Sequence, residues 1–188
     1  MVERKEYIEK LKMWRNEKII KVVTGIRRCG KSTLLEQYRN YLSETGVCSE
    51  QIIDINFEDL AYEELLDYKK LYDYLSERIV SDKYNYIFLD EIQKVKGFEK
   101  VVDSLYIKNN VDIYITGSNA YMLSGELATL LSGRYVEIKM LPLSFCEYRQ
   151  LQNTDRSDDE LFSEYMSVGG FPYIASIDRT KEKTDMYL

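Results

Sequence analysis

The stretch richest in potential chemistry opens at Gly25. Gly25-Ile26-Arg27-Arg28-Cys29-Gly30-Lys31-Ser32 has the spacing G-x-x-x-x-G-K-[ST]. Its glycines let the backbone turn tightly and aim N–H groups inward, a shape that suits phosphate oxygens. Lys31 supplies a point charge for the outer phosphates and Ser32 a hydroxyl for Mg2+. Thr33 adds a hydroxyl or N–H for the first phosphate. A second set, Asp90 and Glu91, ends the apolar run Tyr86-Ile87-Phe88-Leu89. Asp90 suits a magnesium ion held through its water shell. Glu91 suits a base that polarises an attacking water.

Three further places carry candidates with an ordinary alternative beside each. Ile113 to Asn119 is an apolar run ending in small polar groups, and either Ser118 or Asn119 is a candidate to sense a terminal phosphate or orient the water. A capped strand-to-helix turn accounts for them equally well. Arg134, after Gly133, is a candidate finger for a neighbouring subunit's phosphate, or a surface salt-bridge residue. Arg27 and Arg28 are open to phosphate, a partner, nucleic acid or solvent.

Composition removes several chemistries. The 188 residues contain no histidine, so a Ser-His-Asp triad, a histidine metal ligand and a histidine base are excluded. Any base must be a carboxylate, lysine or tyrosine. Cys29, Cys48 and Cys146 are far apart, which argues against a disulfide framework or a cysteine-rich zinc site. A formal net charge of −6 gives no global footprint for nucleic acid, although Arg27 and Arg28 are adjacent and Arg4, Lys5, Lys10 and Lys12 cluster. Most of the 17 tyrosines fall at helical spacing and read as packing residues rather than a base-stacking platform. No apolar run approaches the roughly 20 residues of a membrane span, and the charged start has no apolar stretch behind it. The expected location is the cytoplasm.

The elements that must position these residues alternate in type. Tyr7, Ile8, Leu11 and Trp14 predict a helix over about 4–15. The β-branched run 19–24 predicts a strand feeding the glycine loop, and a helix follows it, stopped by Gly46. Positions 52–57 and 135–139 alternate apolar and polar, as edge strands do. Runs 86–89 and 111–116 are continuous, as in strands buried on both faces. Helices are expected between about 63 and 80, around Phe98–Leu105, and around Leu123–Leu131. After Pro142 the chain reads as helical. Ser157 to Glu160 has the form of a capping box, Leu161, Phe162, Tyr165 and Met166 share one face, and Gly169-Gly170 ends that helix. Five strands separated by helices predict an α/β layered sheet.

In order, Thr-Gly-Ile-Arg-Arg-Cys-Gly-Lys-Ser-Thr-Leu-Leu, Phe-Leu-Asp-Glu-Ile-Gln, Ile-Thr-Gly-Ser-Asn-Ala and Leu-Ser-Gly-Arg resemble the AAA-type P-loop ATPase domain of bacterial and archaeal proteins that usually carry a second, C-terminal domain of uncharacterised function. The resemblance runs from about Arg4 to the Gly-Gly-Phe-Pro at 169–172. It implies a three-layer P-loop sandwich with a five-stranded parallel sheet in the order 5-1-4-3-2. It also implies ATP and Mg2+ as ligands, Glu91 as catalytic carboxylate, Ser118 or Asn119 as sensor, and Arg134 as a finger acting in trans within a homo-oligomer. Residues 1–143 are then the ATPase core. Residues 144–188 begin a helical lid or linker, cut from a larger parent protein.

Three functions compete. In the first, Mg-ATP hydrolysis drives a conformational switch or motor step. In the second, the chain is a nucleotide-sensing scaffold with little hydrolysis of its own that regulates a protein or DNA partner. A small-molecule kinase using the same loop is the third, for which no acceptor motif is visible. The lack of an Asn-Lys-x-Asp box favours adenine over guanine.

Overall fold

Strand β1 (Ile20–Gly25) is buried along its whole length, which its run of β-branched residues allows only at the centre of a sheet. The computed structural model describes residues 2–118, 131 and 133–176. β1 pairs in parallel with β4 (Val111–Ser118) on one side and β5 (Tyr135–Met140) on the other. β4 pairs with β3 (Asn85–Asp90), and β3 with β2 (Ile52–Asn56), again in parallel. The order is therefore β2-β3-β4-β1-β5. The alternating strands are the edges and the continuous apolar ones the centre, as the patterns predict.

Period-2 alternation sends the strands' apolar residues to the two faces of the sheet. Ile20, Val22, Ile53, Ile55, Ile87, Leu89, Ile113 and Ile115 point to one side. There they meet Leu71 and Leu75 of α3 (Tyr68–Arg78) and Phe98, Val101 and Leu105 of α4 (Phe98–Tyr106). Val23, Tyr86, Phe88 and Tyr114 point to the other. Tyr7, Ile8 and Leu11 of α1 (Lys5–Met13) and Leu34, Leu35, Tyr38 and Leu42 of α2 (Lys31–Glu44) cover that face. This is the three-layer α/β sandwich. α2 begins after Gly30 with no side-chain cap and no acid in its first turn. With glycine at the cap position the loss is only roughly a few tenths of a kcal/mol. Burial of its leucines, each contributing about 1.5–3 kcal/mol, outweighs that loss. The packed face holds α2, and its N-terminal N–H groups stay available.

Two expectations change on the α3 side and beyond the sheet. The helix expected between 63 and 80 is broken: Leu60–Leu66 forms a 3-10 segment, and α3 starts anew after Asp67. Asp67 accepts from the Lys69 and Lys70 N–H groups at 2.8 and 3.2 Å, and those bonds favour a new helix start over continuation. The first helix ends at Met13 rather than 15. After β5 the chain forms α5 (Phe145–Gln152), α6 (Asp158–Val168) and the short α7 (Pro172–Ser176). These share a small core of Leu143, Tyr148, Val168, Ile174 and Ala175. Ser157 and Glu160 form the expected box at the start of α6. Its buried face carries Leu161 and Val168, whereas Phe162 and Met166 are 47% and 69% exposed. Capping fixes where this helix begins but not which stripe is covered. The helix expected around 123–131 lies outside the described residues apart from its last position. No helix among the described residues is long and apolar enough to cross a membrane.

Candidate phosphate-binding site

β1 delivers the glycine loop at its carboxyl end. A Cβ at Gly25 would lie 2.6 Å from the Met140 carbonyl oxygen and 2.7 Å from Cys29 Sγ, so only glycine fits. Gly30 adopts φ +101°, a left-handed value, and turns the chain into α2. Between them Ile26, Arg27 and Arg28 are exposed, with Arg28 also left-handed at φ 67°. Cys29 points inward and is fully buried, and burial raises its thiol pKa, keeping it neutral. Ser32 stands exposed in the first turn of α2 and Thr33 is half-buried.

Lys31 folds back under the loop. Its Nζ lies 3.3 Å from the Gly25 oxygen, 3.5 Å from the Ile26 oxygen and 3.6 Å from Glu91 Oε1. The lysine side chain is only 4% exposed. A residue of the loop and a residue of the β3 end, 60 positions apart in sequence, thus share one ion pair.

Alternation also fixes Asp90. It follows Tyr86 and Phe88 in phase, so it faces the α2 side of the sheet, and it is buried. On β4, Thr116 follows Tyr114 in phase and faces the same way. The Thr116 hydroxyl donates to Asp90 Oδ1 and accepts the Glu91 N–H at 3.0 Å. Glu91 itself is left-handed, with φ 55° and ψ 43°, a cost of roughly 1–2 kcal/mol for a non-glycine residue. The Thr116 bond holds it in that conformation, and Gln93 Nε2 donates to Glu91 Oε2.

Of the sequence candidates, the structure gathers Gly25 to Thr33, Asp90 and Glu91 at one end of the sheet. Ser118 ends β4 opposite Gly25 in the register, at the same end. Asn119 lies outside the described residues. Arg134 is elsewhere. Its carbonyl accepts the Ile20 N–H at 2.9 Å, at the start of β1, about 17 Å of strand away from Gly25. Its guanidinium pairs with Asp103 Oδ1 at 3.4 Å. It does not join this chain's own loop.

Two residues were missed by sequence reasoning. Thr116 shows only in the strand's phase. Arg4, 3% exposed, donates to the Cys29 oxygen at 3.3 Å and the Leu141 oxygen at 2.7 Å, and pairs with Glu147 of α5 at 2.8 Å. It ties the loop to the helical region, and a charged residue near the start of a chain carries no sign of burial. Beside it lies a cavity of 380 Å³ whose lining includes Val2, Arg4, Gly30, Thr33, Met140 and Pro172.

This fold and loop define the class of P-loop nucleoside-triphosphatase domains. Solved structures agree at the level of fold. The Walker-type ATPase of Pyrococcus abyssi superposes with a TM-score of 0.59 at 16% identity, covering 100% of this chain and 71% of that one. AMPPCP-bound DnaA from Aquifex aeolicus gives 0.61 at 13% identity, covering 97% and 58%. Within the class, the model of the AAA domain family matches residues 17–149, and the chain belongs to that family. It is 46% identical to an uncharacterized protein of Haemophilus influenzae, over 98% of this chain and 47% of that protein. An uncharacterized protein of Methanocaldococcus jannaschii is 33% identical, over 89% of this chain and 38% of that protein. The chain therefore spans less than half the length of these relatives.

Proposed function

We propose that the chain binds Mg-ATP and hydrolyses it to ADP and phosphate, and that hydrolysis works a conformational switch. The observation that carries this reading is the meeting of Lys31 and Glu91 beneath a loop whose Gly25 has no room for a side chain. The N–H groups of residues 25–33 wrap the phosphates at the uncapped start of α2. Magnesium suits the donors present, which are oxygens: the exposed Ser32 hydroxyl and the Asp90 carboxylate. With Oδ1 engaged by Thr116, Oδ2 is the Asp90 oxygen that would be left for the ion's water shell, and a magnesium ion held by Ser32 and Asp90 would supply positive charge to the phosphate oxygens.

Lys31 exchanges its carbonyl partners and Glu91 for the outer phosphates. Glu91, freed from the lysine, accepts a proton from water as the water oxygen bonds to the terminal phosphorus. The bond from that phosphorus to the bridging oxygen breaks, and ADP leaves with the electron pair. The cavity beside Gly30 and Thr33 takes the adenine, since it adjoins the loop and its walls include Val2, Met140 and Pro172. The described part of the 144–188 region, residues 144–176, acts as the start of a lid over that cavity, attached to the 1–143 core through Arg4 and Glu147. Ser118 or Asn119 serves as sensor.

The position of Arg134 favours a second reading alongside this one. A finger at the far end of β5 serves a neighbouring copy's site, so a lone chain hydrolyses slowly and behaves as a nucleotide-sensing scaffold until it assembles. Replacing Glu91 by Gln tests the main reading. Binding of ATP is expected to persist while turnover drops at least about a hundredfold. Unchanged turnover removes Glu91 from its role.

A further inference from the structure

The loops that follow β1 and β2 belong to strands that are not neighbours. β4 and β3 lie between them, a gap of about 14 Å at roughly 4.8 Å per strand interval. Yet Arg27, in the first loop, brings Nη2 to 3.4 Å from Oε1 of Glu58, in the second. The pair must therefore run across the carboxyl ends of β4 and β3, where Ser118, Asp90 and Glu91 stand. The backbone at Glu58 is held there. Its N–H donates to Asn56 Oδ1 at 2.9 Å, and the preceding Phe57 N–H donates to the Asp90 carbonyl at 3.1 Å. So the glutamate at one end of the strap adjoins the backbone of the candidate metal-binding aspartate.

From this crossing we infer that Arg27, beside the sensor at Ser118 or Asn119, is a residue by which the chain distinguishes a nucleoside triphosphate from a diphosphate. Arg27 rests on Glu58 while the terminal phosphate is absent, and exchanges it for that phosphate when a triphosphate binds. The inference rests on the nucleotide-binding reading above and adds a specificity residue to it. Three features support it. The ion pair is exposed, with the two side chains 79% and 48% accessible, and pairs of that kind contribute little and are readily given up. A terminal phosphate offers three oxygens and about two negative charges, and a guanidinium fork binds that arrangement better than a single carboxylate contact. Lys31 is buried under the loop and reaches the outer phosphates from below, including the one that ADP and ATP have in common. Arg27 approaches from the solvent side, across the strands that carry Asp90 and Glu91, where the additional phosphate must extend.

Titration calorimetry of the whole chain with Mg-ADP and with a non-hydrolysable β,γ-methylene ATP analogue tests this. In Arg27→Ala the analogue is expected to bind about tenfold more weakly or worse, with ADP affinity changed less than about twofold. Glu58→Gln removes the competing carboxylate, so the analogue should bind several-fold more tightly and ADP as before. Equal losses for both nucleotides in Arg27→Ala, or no loss for either, overturn the assignment. A wild-type chain that binds neither nucleotide overturns the nucleotide-binding reading as well. Tight wild-type binding with an unchanged ratio in Arg27→Ala overturns the Arg27 assignment alone.

Discussion

Thr116 holds Asp90 from the neighbouring strand, donating its hydroxyl to Oδ1 while accepting the Glu91 N–H at 3.0 Å. One hydroxyl thus fixes both acidic residues. Thr116→Val keeps the shape and removes both bonds, leaving the Glu91 N–H without this partner. A stability loss of about 1–3 kcal/mol is expected in denaturant titration. ATP turnover should fall more than ATP affinity does, and Thr116→Ser should restore most of both. Equal turnover in the valine variant would mean that the acids are held by other means.

Gly25→Ala tests the loop's shape. The new methyl meets the Met140 carbonyl and Cys29 Sγ at distances that require the backbone to shift. The expected cost is roughly 1–3 kcal/mol of stability, with ATP binding lost even below the melting transition. Cys29→Ala in the same chain relieves one clash but not the backbone one, so rescue should be partial.

Much of this arrangement is legible in the sequence. The loop's spacing, the apolar run before Asp90 and the alternation in the two edge strands each reflect a local rule that the fold obeys. Other features depend on what lies across the fold. The periodicity from 63 to 80 does not show that Asp67 caps a new helix. Thr116 looks like any strand-end threonine until its phase is matched to that of Asp90 on another strand. Arg4 is buried because the loop, the end of β5 and Glu147 converge on it. Arg134 stands just before an edge strand of a parallel sheet, which already puts it at the end opposite the glycine loop; what sequence does not show is its pairing with Asp103.

Lys21 shows the same limit within β1. It reads as an ordinary strand residue, yet its side chain is fully buried and pairs with Asp112 of β4. Burial lowers the Lys21 pKa and raises that of Asp112, while their mutual attraction opposes both shifts. Asp112 also accepts the Asn16 N–H at 2.9 Å and the Tyr114 hydroxyl at 2.7 Å. Asp112→Asn leaves a buried ammonium without its counter-charge, and a loss of about 3–5 kcal/mol is expected in chemical denaturation. Adding Lys21→Met should recover a large part of that loss. If the double variant is as unstable as the single one, the hydrogen bonds rather than the charge dominate.

Arg134 makes a prediction about assembly. Because it stands at the far end of β5, phosphate release per chain should rise with protein concentration. Arg134→Ala should flatten that rise at unchanged ATP affinity. A mixture of Arg134→Ala and Glu91→Gln chains should regain activity, since one supplies an intact acid and the other an intact arginine. Release that is independent of concentration would place hydrolysis within a single chain.

The most direct test of the central claim is the ATP affinity of wild type and Asp90→Asn, each measured by calorimetry with Mg2+ and with the metal chelated. Mg2+ is expected to strengthen ATP binding by wild type and to strengthen it much less in Asp90→Asn, whereas metal-free ATP binds the variant no more weakly than wild type. A full magnesium effect in the variant, or a wild-type chain indifferent to Mg-ATP, would contradict that claim.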